Sequence, residues 1–185
     1  RLDECFNSEL ALYPPHTLCQ QLLLPLFEDL ELRWRNQFGA QAERVFFYSW
    51  LRSKLGARLY HNNRQASGTP LLLINVSDLP MAPGLWLTAW LASSTGCAVE
   101  VFDWPLPPTE LALAVEHIQP RAVLLYSSQA LNSTHLQRLL GGYDCPCLLV
   151  GQVVQIHAEE LVDITAQNAE LSLAADPLAA LHSLT

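Results

Sequence analysis

From Leu71 onward the sequence alternates between short apolar runs and amphipathic stretches, and this alternation leaves few folds open. The apolar runs are LLLINV (71–76), AVEVFDW (98–104), RAVLLYS (121–127) and PCLLVG (146–151). LLLINV reads as one continuous block, as a strand covered on both faces must. Between the runs lie GLWLTAWLASSTG, PTELALAVEHIQ and NSTHLQRLLGG, which read as helices. Gly96 closes the first, and Asn132 or Ser133 caps the third. A short fifth strand is expected near Leu161–Thr165, and DPLAALHSL is expected to end the chain as a helix. Strands joined through helices pair in parallel, by right-handed crossovers. Residues 71–185 are therefore expected to form an α/β domain, a doubly wound five-strand parallel sheet of flavodoxin-like type.

The preceding residues carry a different period. TLCQQLLLPLFEDLELRW places Leu18, Leu22, Pro25, Leu26 and Leu30 near one helical face, with Thr17 as the expected N-cap. Pro25 should kink this helix, because it lacks the amide proton that bonds one turn back. Phe38-Gly39 marks a break, and AQAERVFFYSWLRSKLGARLY gives a second long helix. With a short helix in residues 1–11, residues 1–62 are expected to form a helical bundle. The polar stretch HNNRQASGTP, with Gly68 and Pro70 at its end, reads as a linker over 63–70. RLDECFNSEL enters as if in mid-helix, so an upstream partner domain is expected.

Charge and cysteine usage exclude several classes. With 10 basic and 18 acidic side chains the net charge is −8, so this chain is not expected to bind nucleic acid by itself. No apolar run approaches the roughly 18–20 residues of a membrane span. Asp3 and Glu4 stand where an export signal would be basic and then apolar. The five cysteines are odd in number and scattered, and Cys145-Pro146-Cys147 has the wrong spacing for a CxxC pair. Free thiols in a reducing cytoplasm are expected.

The chemistry-bearing motifs are sparse. After the first strand there is neither GxGxxG nor GxxxxGK[ST], which argues against a dinucleotide or triphosphate in the usual mode. None of the six histidines falls in HxxxH, HExxH or a Cys/His cluster, so no metal site is expected. Ser127 and Ser128 follow the third strand at the carboxyl edge of the sheet, where ligands sit in such folds. They read as turn residues or as ligand contacts. No GxSxG elbow accompanies them, so no catalytic residue is assigned. Asp103, after the second strand, is placed to meet a ribose hydroxyl but lacks a phosphate-binding loop beside it. Trp34, Trp50, Trp86 and Trp90 sit at core-like spacing on helices.

A helical bundle, a polar linker and a five-strand α/β domain is the layout of cobalamin-binding modules. Within them the chain resembles the C-terminal sensor region of MerR-family transcription regulators. In the light-sensing adenosylcobalamin branch, a bundle tryptophan followed by Glu-His caps the upper corrin face. Here WRNQFGAQAER offers Trp34 and Glu43, with Arg44 in place of the histidine. The lower-face motif is DxHxxG. Anchored on Gly84, that register reads Leu79-Pro80-Met81-Ala82-Pro83-Gly84, with leucine for the acid and methionine for the histidine. Asp78 lies one residue off register. The serine turn after the third strand matches Ser127 and Ser128, and a later Gly-Gly is reduced to Gly151-Gln152. The paired tryptophans of GLWLTAWLASSTG are closer to the curli and biofilm activator branch, whose sensor domains lack cobalamin motifs.

The resemblance implies a regulatory domain, for effector sensing or dimerisation, and not an enzyme. It implies a cytoplasmic homodimer that reaches DNA only through a helix-turn-helix domain outside this chain, acts on RNA polymerase indirectly and has an effector of unassigned identity. No cofactor is expected. The alternative is a true cobalamin-binding domain without a histidine ligand, and an enzyme using Ser127, Asp78 or Cys97 is a third reading. Trp34, Glu43, Met81, Gly84, Trp86, Ser127, Ser128 and Gly151 are the candidate residues of a cleft between bundle and sheet. The expectation is that Met81 and the tryptophans narrow it.

Overall fold

The structure, a computed structural model, describes residues 1–184. It divides into two compact units, residues 1–54 and 55–184 of those described.

The first unit is helical. It contains α1 (Leu2–Leu12), α2 (Pro15–Leu18), a π-helical turn (Cys19–Leu23), α3 (Leu24–Asn36) and the first half of α4 (Gln41–Asn63). The helix that begins α2 starts one residue after Pro14, with Pro15 in its first turn, so Thr17 is inside the helix and is not its cap. Proline suits that first-turn position because the amide it lacks would be unbonded there anyway. Pro25 likewise stands in the first turn of α3, directly after the π-helical turn. The wider turn stands next to the position where the missing hydrogen bond was expected to kink the helix. Gly39, at φ +76, reverses the chain between α3 and α4.

Aromatic rings form much of the inside of this unit. Phe27 meets Phe47 and Tyr48 edge-on, and Trp34 lies 5.5 Å from Tyr48 and 5.9 Å from Phe47, centroid to centroid. Phe6 packs edge-on against Trp50, whose indole N–H donates to Asp3. The same carboxylate pairs with Lys54, and these two contacts hold Asp3 below the usual carboxylate range.

The second unit is the α/β body. Its elements are the rest of α4, β1 (Ser67–Asn75), α5 (Pro83–Ser94), β2 (Cys97–Phe102), α6 (Pro108–Ile118), β3 (Ala122–Tyr126), α7 (Ser133–Leu140), β4 (Cys147–Val150), α8 (Val153–Ile156), α9 (Ala158–Gln167), β5 (Leu171–Ala174) and α10 (Pro177–Leu184). All pairings are parallel and the strand order is β2-β1-β3-β4-β5, the flavodoxin-like order. Alternate residues feed the two faces. Leu72, Ile74, Val123, Leu125 and Leu149 pack under α6, α7 and α9. Leu71, Leu73, Leu124, Leu148 and Val150 pack under α5, α10 and Leu59 of α4.

Two expectations are corrected. Leu161–Thr165 is not a strand but the middle of α9, and the fifth strand is Leu171–Ala174. Leu161, Ile164 and Thr165 share one helical face, and it is the Leu161 side chain that is buried. The polar stretch read as a linker supplies the end of α4 and the start of β1. Asn63 explains why the chain stays ordered there: its side-chain amide donates to the Val99 carbonyl at 2.7 Å and accepts from the Val99 amide at 3.1 Å. It thus bonds the edge of β2 as a neighbouring strand would.

Candidate functional site

The carboxyl edge of the sheet is where a ligand would meet this fold. Asn75, the last residue of β1 and fully buried, organises that edge. Its Nδ2 donates to the carbonyls of Leu79, at 2.9 Å, and Asp103, at 3.1 Å. Its Oδ1 accepts from the Ser77 amide at 3.0 Å and the Ser77 hydroxyl at 2.6 Å. Both donors and both lone pairs of the amide are therefore committed to the protein. The loop from Ser77 to Ala82 is pinned onto the end of β2 from within. Sequence reasoning did not single out Asn75. Its signal was a lone amide at the end of an otherwise apolar strand.

Gly84 lies in the first turn of α5, and its open face is filled. A Cβ built there would lie 2.0 Å from the Tyr126 hydroxyl oxygen and 2.5 Å from the ring carbon bearing it. The glycine thus allows a close approach, but what approaches is a side chain from β3 of the same chain. Tyr126 is buried, and burial pushes its hydroxyl up to about 12, so at neutral pH it is a neutral phenol and not a base. Gly151, at φ +107, has the same role after β4. A Cβ there would sit 2.3 Å from the Ser127 carbonyl oxygen.

Ser127 is fully buried and closes its own turn. Its hydroxyl donates to the Gln129 carbonyl at 2.9 Å and accepts from the Gln129 amide at 3.1 Å. Ser128 is half-buried, and among the described residues its side chain makes no hydrogen bond. Trp86 is half-buried on α5, and its indole N–H donates to the Asp103 carboxylate at 3.0 Å. Asp103, considered for a ribose hydroxyl, is itself buried and engaged by that indole. The Trp86 ring also covers Gly56 of α4, where an added Cβ would touch it at 3.6 Å. Met81 is half-buried and belongs to neither core cluster of the α/β body.

Trp34 and Glu43 belong to the helical unit. Trp34 is 6% exposed within the aromatic cluster, and its indole nitrogen, also buried, has no hydrogen-bond partner among the described residues. Glu43 forms an ion pair with Arg33 of α3. Two residues before Arg33 on α3, Glu31 accepts from both Arg44 Nε, at 2.9 Å, and the Tyr48 hydroxyl. The half-motif Trp34…Glu43 is thus built into α3–α4 packing, the glutamate through a partly exposed pair.

The structure brings Gly84 against Tyr126, Trp86 against Asp103, and Ser127 against Gly151. Two of the thiols are held protonated. Cys147 is buried, and desolvation pushes its thiol up to about 12. Cys145 is raised by burial and by the acidic side chains of Asp144 and Glu170. Among the described residues none of the five cysteines is in a disulfide. Among the described residues no group of His, Cys, Asp and Glu side chains is arranged to hold a metal ion. Among the described residues no helix is long and apolar enough to cross a membrane. No family model matches the chain, and no curated protein matches it.

Proposed function

We propose that this chain is the regulatory domain of a MerR-type transcription regulator, with a cobalamin-like fold that works without cobalamin. The observation that carries the reading is the filling of both glycine positions at the carboxyl edge. Gly84 is approached by Tyr126 and Gly151 by the Ser127 backbone, where a cofactor-binding relative needs that space for its ligand. The fully satisfied Asn75 amide adds to it, since the loop it pins has no spare donor to offer from that side chain. The residues present do not fit a corrin: Leu79 and Met81 replace the acid and the cobalt-ligating imidazole, and thioether sulfur is the poorer donor to an oxidised cobalt ion.

The net charge of −8 supports DNA contact through a helix-turn-helix outside this chain, as a dimer on two half-sites. The domain's role is then dimerisation or effector sensing in the cytoplasm, with RNA polymerase affected only indirectly.

The test compares the full-length product with this chain in mobility-shift assays against genomic fragments. The full-length product is expected to retard specific duplexes while this chain retards none at physiological salt. Retardation by this chain alone, or none by the full-length product, contradicts the reading.

A further inference from the structure

The loop that follows β3 is held at its far end by a histidine from the next crossover. His157, between α8 and α9, accepts the Leu131 amide proton at Nε2, at 3.0 Å. Its Nδ1 lies 3.2 Å from Glu160 Oε2, and the Ser133 hydroxyl donates to the same carboxylate oxygen at 3.1 Å. The ring is 13% exposed. An imidazole that accepts at Nε2 must be neutral with its proton on Nδ1, where it donates to Glu160. The loop reaches back to the carboxyl edge through Ser127, whose carbonyl accepts from the Val153 amide. At its other end Asn132 caps α7, accepting from the Thr134 and His135 amides.

We propose that His157 is a proton-operated latch on the loop 127–132. A second proton on the ring turns Nε2 into a donor facing the Leu131 amide, itself a donor, so that bond is lost. The same proton converts the Nδ1 contact into an ion pair with Glu160, so the ring keeps its seat on α9 while the loop is let go. The loop bond is present while the ring is neutral and lost once the ring carries a second proton, because only the neutral ring can accept. The other titratable and charged groups on the flanking helices are Glu159 and Asp163 of α9 and His135 and Arg138 of α7, and among the described residues none of them bonds to the ring. The latch stands on this local geometry alone and does not depend on the regulatory reading. Half-buried Leu131 packs on the core beneath α7, so release would loosen an apolar contact as well as a hydrogen bond.

The experiment is NMR on the isotopically labelled chain at about pH 7.5 and about pH 5. At the higher pH the His157 ring should show the Nδ1–H tautomer with a bare Nε2. At the lower pH the Leu131 amide should lose at least about tenfold in hydrogen-exchange protection, after correction for the intrinsic rate. His157→Gln keeps an acceptor that does not titrate, and in it the Leu131 protection should be the same at both pH values. The Nε2–H tautomer at the higher pH, unchanged Leu131 protection in the wild type, or an identical pH response in His157→Gln would each overturn the proposal. The tautomer is read on the wild type, so the test survives even if the variant folds poorly.

Discussion

Two tryptophans show how differently the two units are made. Trp86, in the α/β body, has its indole N–H bonded to the buried carboxylate of Asp103. Trp34, in the helical unit, is more deeply buried and leaves its N–H without a partner among the described residues. Around Trp86 the polar groups have bonded partners: Asn75, Ser77 and Ser127 all close on one another or on nearby backbone. Around Trp34 the contacts are aromatic faces and edges, and the ion pairs Arg33–Glu43 and Arg44–Glu31 are partly exposed. Directional bonds fix one arrangement, whereas ring packing tolerates substitution. The carboxyl edge should therefore be the more brittle region and the helical unit the more forgiving one.

Substitutions can break that contrast. The largest effect is expected at Gly151, where alanine combines a left-handed φ with a backbone collision that no side-chain rotation relieves. Thermal and urea melts should show a loss of about 3 kcal/mol. Gly84→Ala should cost less, about 2 kcal/mol, because the Tyr126 ring it meets can swing away. Gly84→Ala with Tyr126→Leu should recover some of the loss, whereas no such partner exists for Gly151. Equal costs at both glycines would mean that Tyr126 is not what fills the space at Gly84.

Trp86→Phe comes next, at about 2 kcal/mol, since it removes a hydrogen bond to a buried carboxylate. Trp34→Phe should cost within about 1 kcal/mol, because the volume lost is offset by removing an indole N–H that has no acceptor. Urea midpoints for the pair check this, and a Trp34→Phe loss as large as that of Trp86→Phe would end the contrast.

Alkaline pH sharpens the same difference. Tyr126 is raised from 10.0 and Cys147 from 9.0, each to about 12 by burial. Both groups favour the folded chain while protonated. That stability is whole below about pH 9 and is lost as pH climbs toward about 12. A tenfold change in acidity corresponds to about 1.4 kcal/mol, so melts of the α/β body should fall steeply across that window. Tyr126→Phe should flatten the upper end of the profile, and an unchanged pH profile in that variant would contradict the assignment to Tyr126.

The smallest effect is expected from Glu43→Gln. It removes a pair whose side chains are 54% and 40% exposed, and pairs of this kind contribute below about 0.5 kcal/mol. A loss above about 1 kcal/mol in a chemical melt would show that Glu43 does more than pair with Arg33.

How much of this was legible depended on the range of the interactions. The parallel strands could be read because burial on both faces writes continuous apolar runs, as in LLLINV and AVLLY. Asn132 could be named as one of two candidate caps because its partners lie two and three residues away. β5 was missed because LSLA is four residues long, while the β-branched LVDIT nearby looks more strand-like than the helix it forms. Asn63, Asn75 and His157 were missed for a different reason. Asn63 bonds Val99, 36 residues away, and Asn75 and His157 each add to their local bonds one with a partner 28 and 26 residues away, and no local period reports such pairings. Gly84 was legible only as the anchor of a loop register. That the space beside it is taken by Tyr126, 42 positions later in the numbering, follows only from the β1–β3 pairing.

The central claim is that the carboxyl edge of this sheet is filled from within and holds no corrin. The purified chain, incubated in the dark with adenosylcobalamin and separately with hydroxocobalamin, then passed through a sizing column, tests it most directly. The account predicts a protein peak with no visible corrin absorbance in either case. A coloured protein peak at one corrin per chain would contradict it.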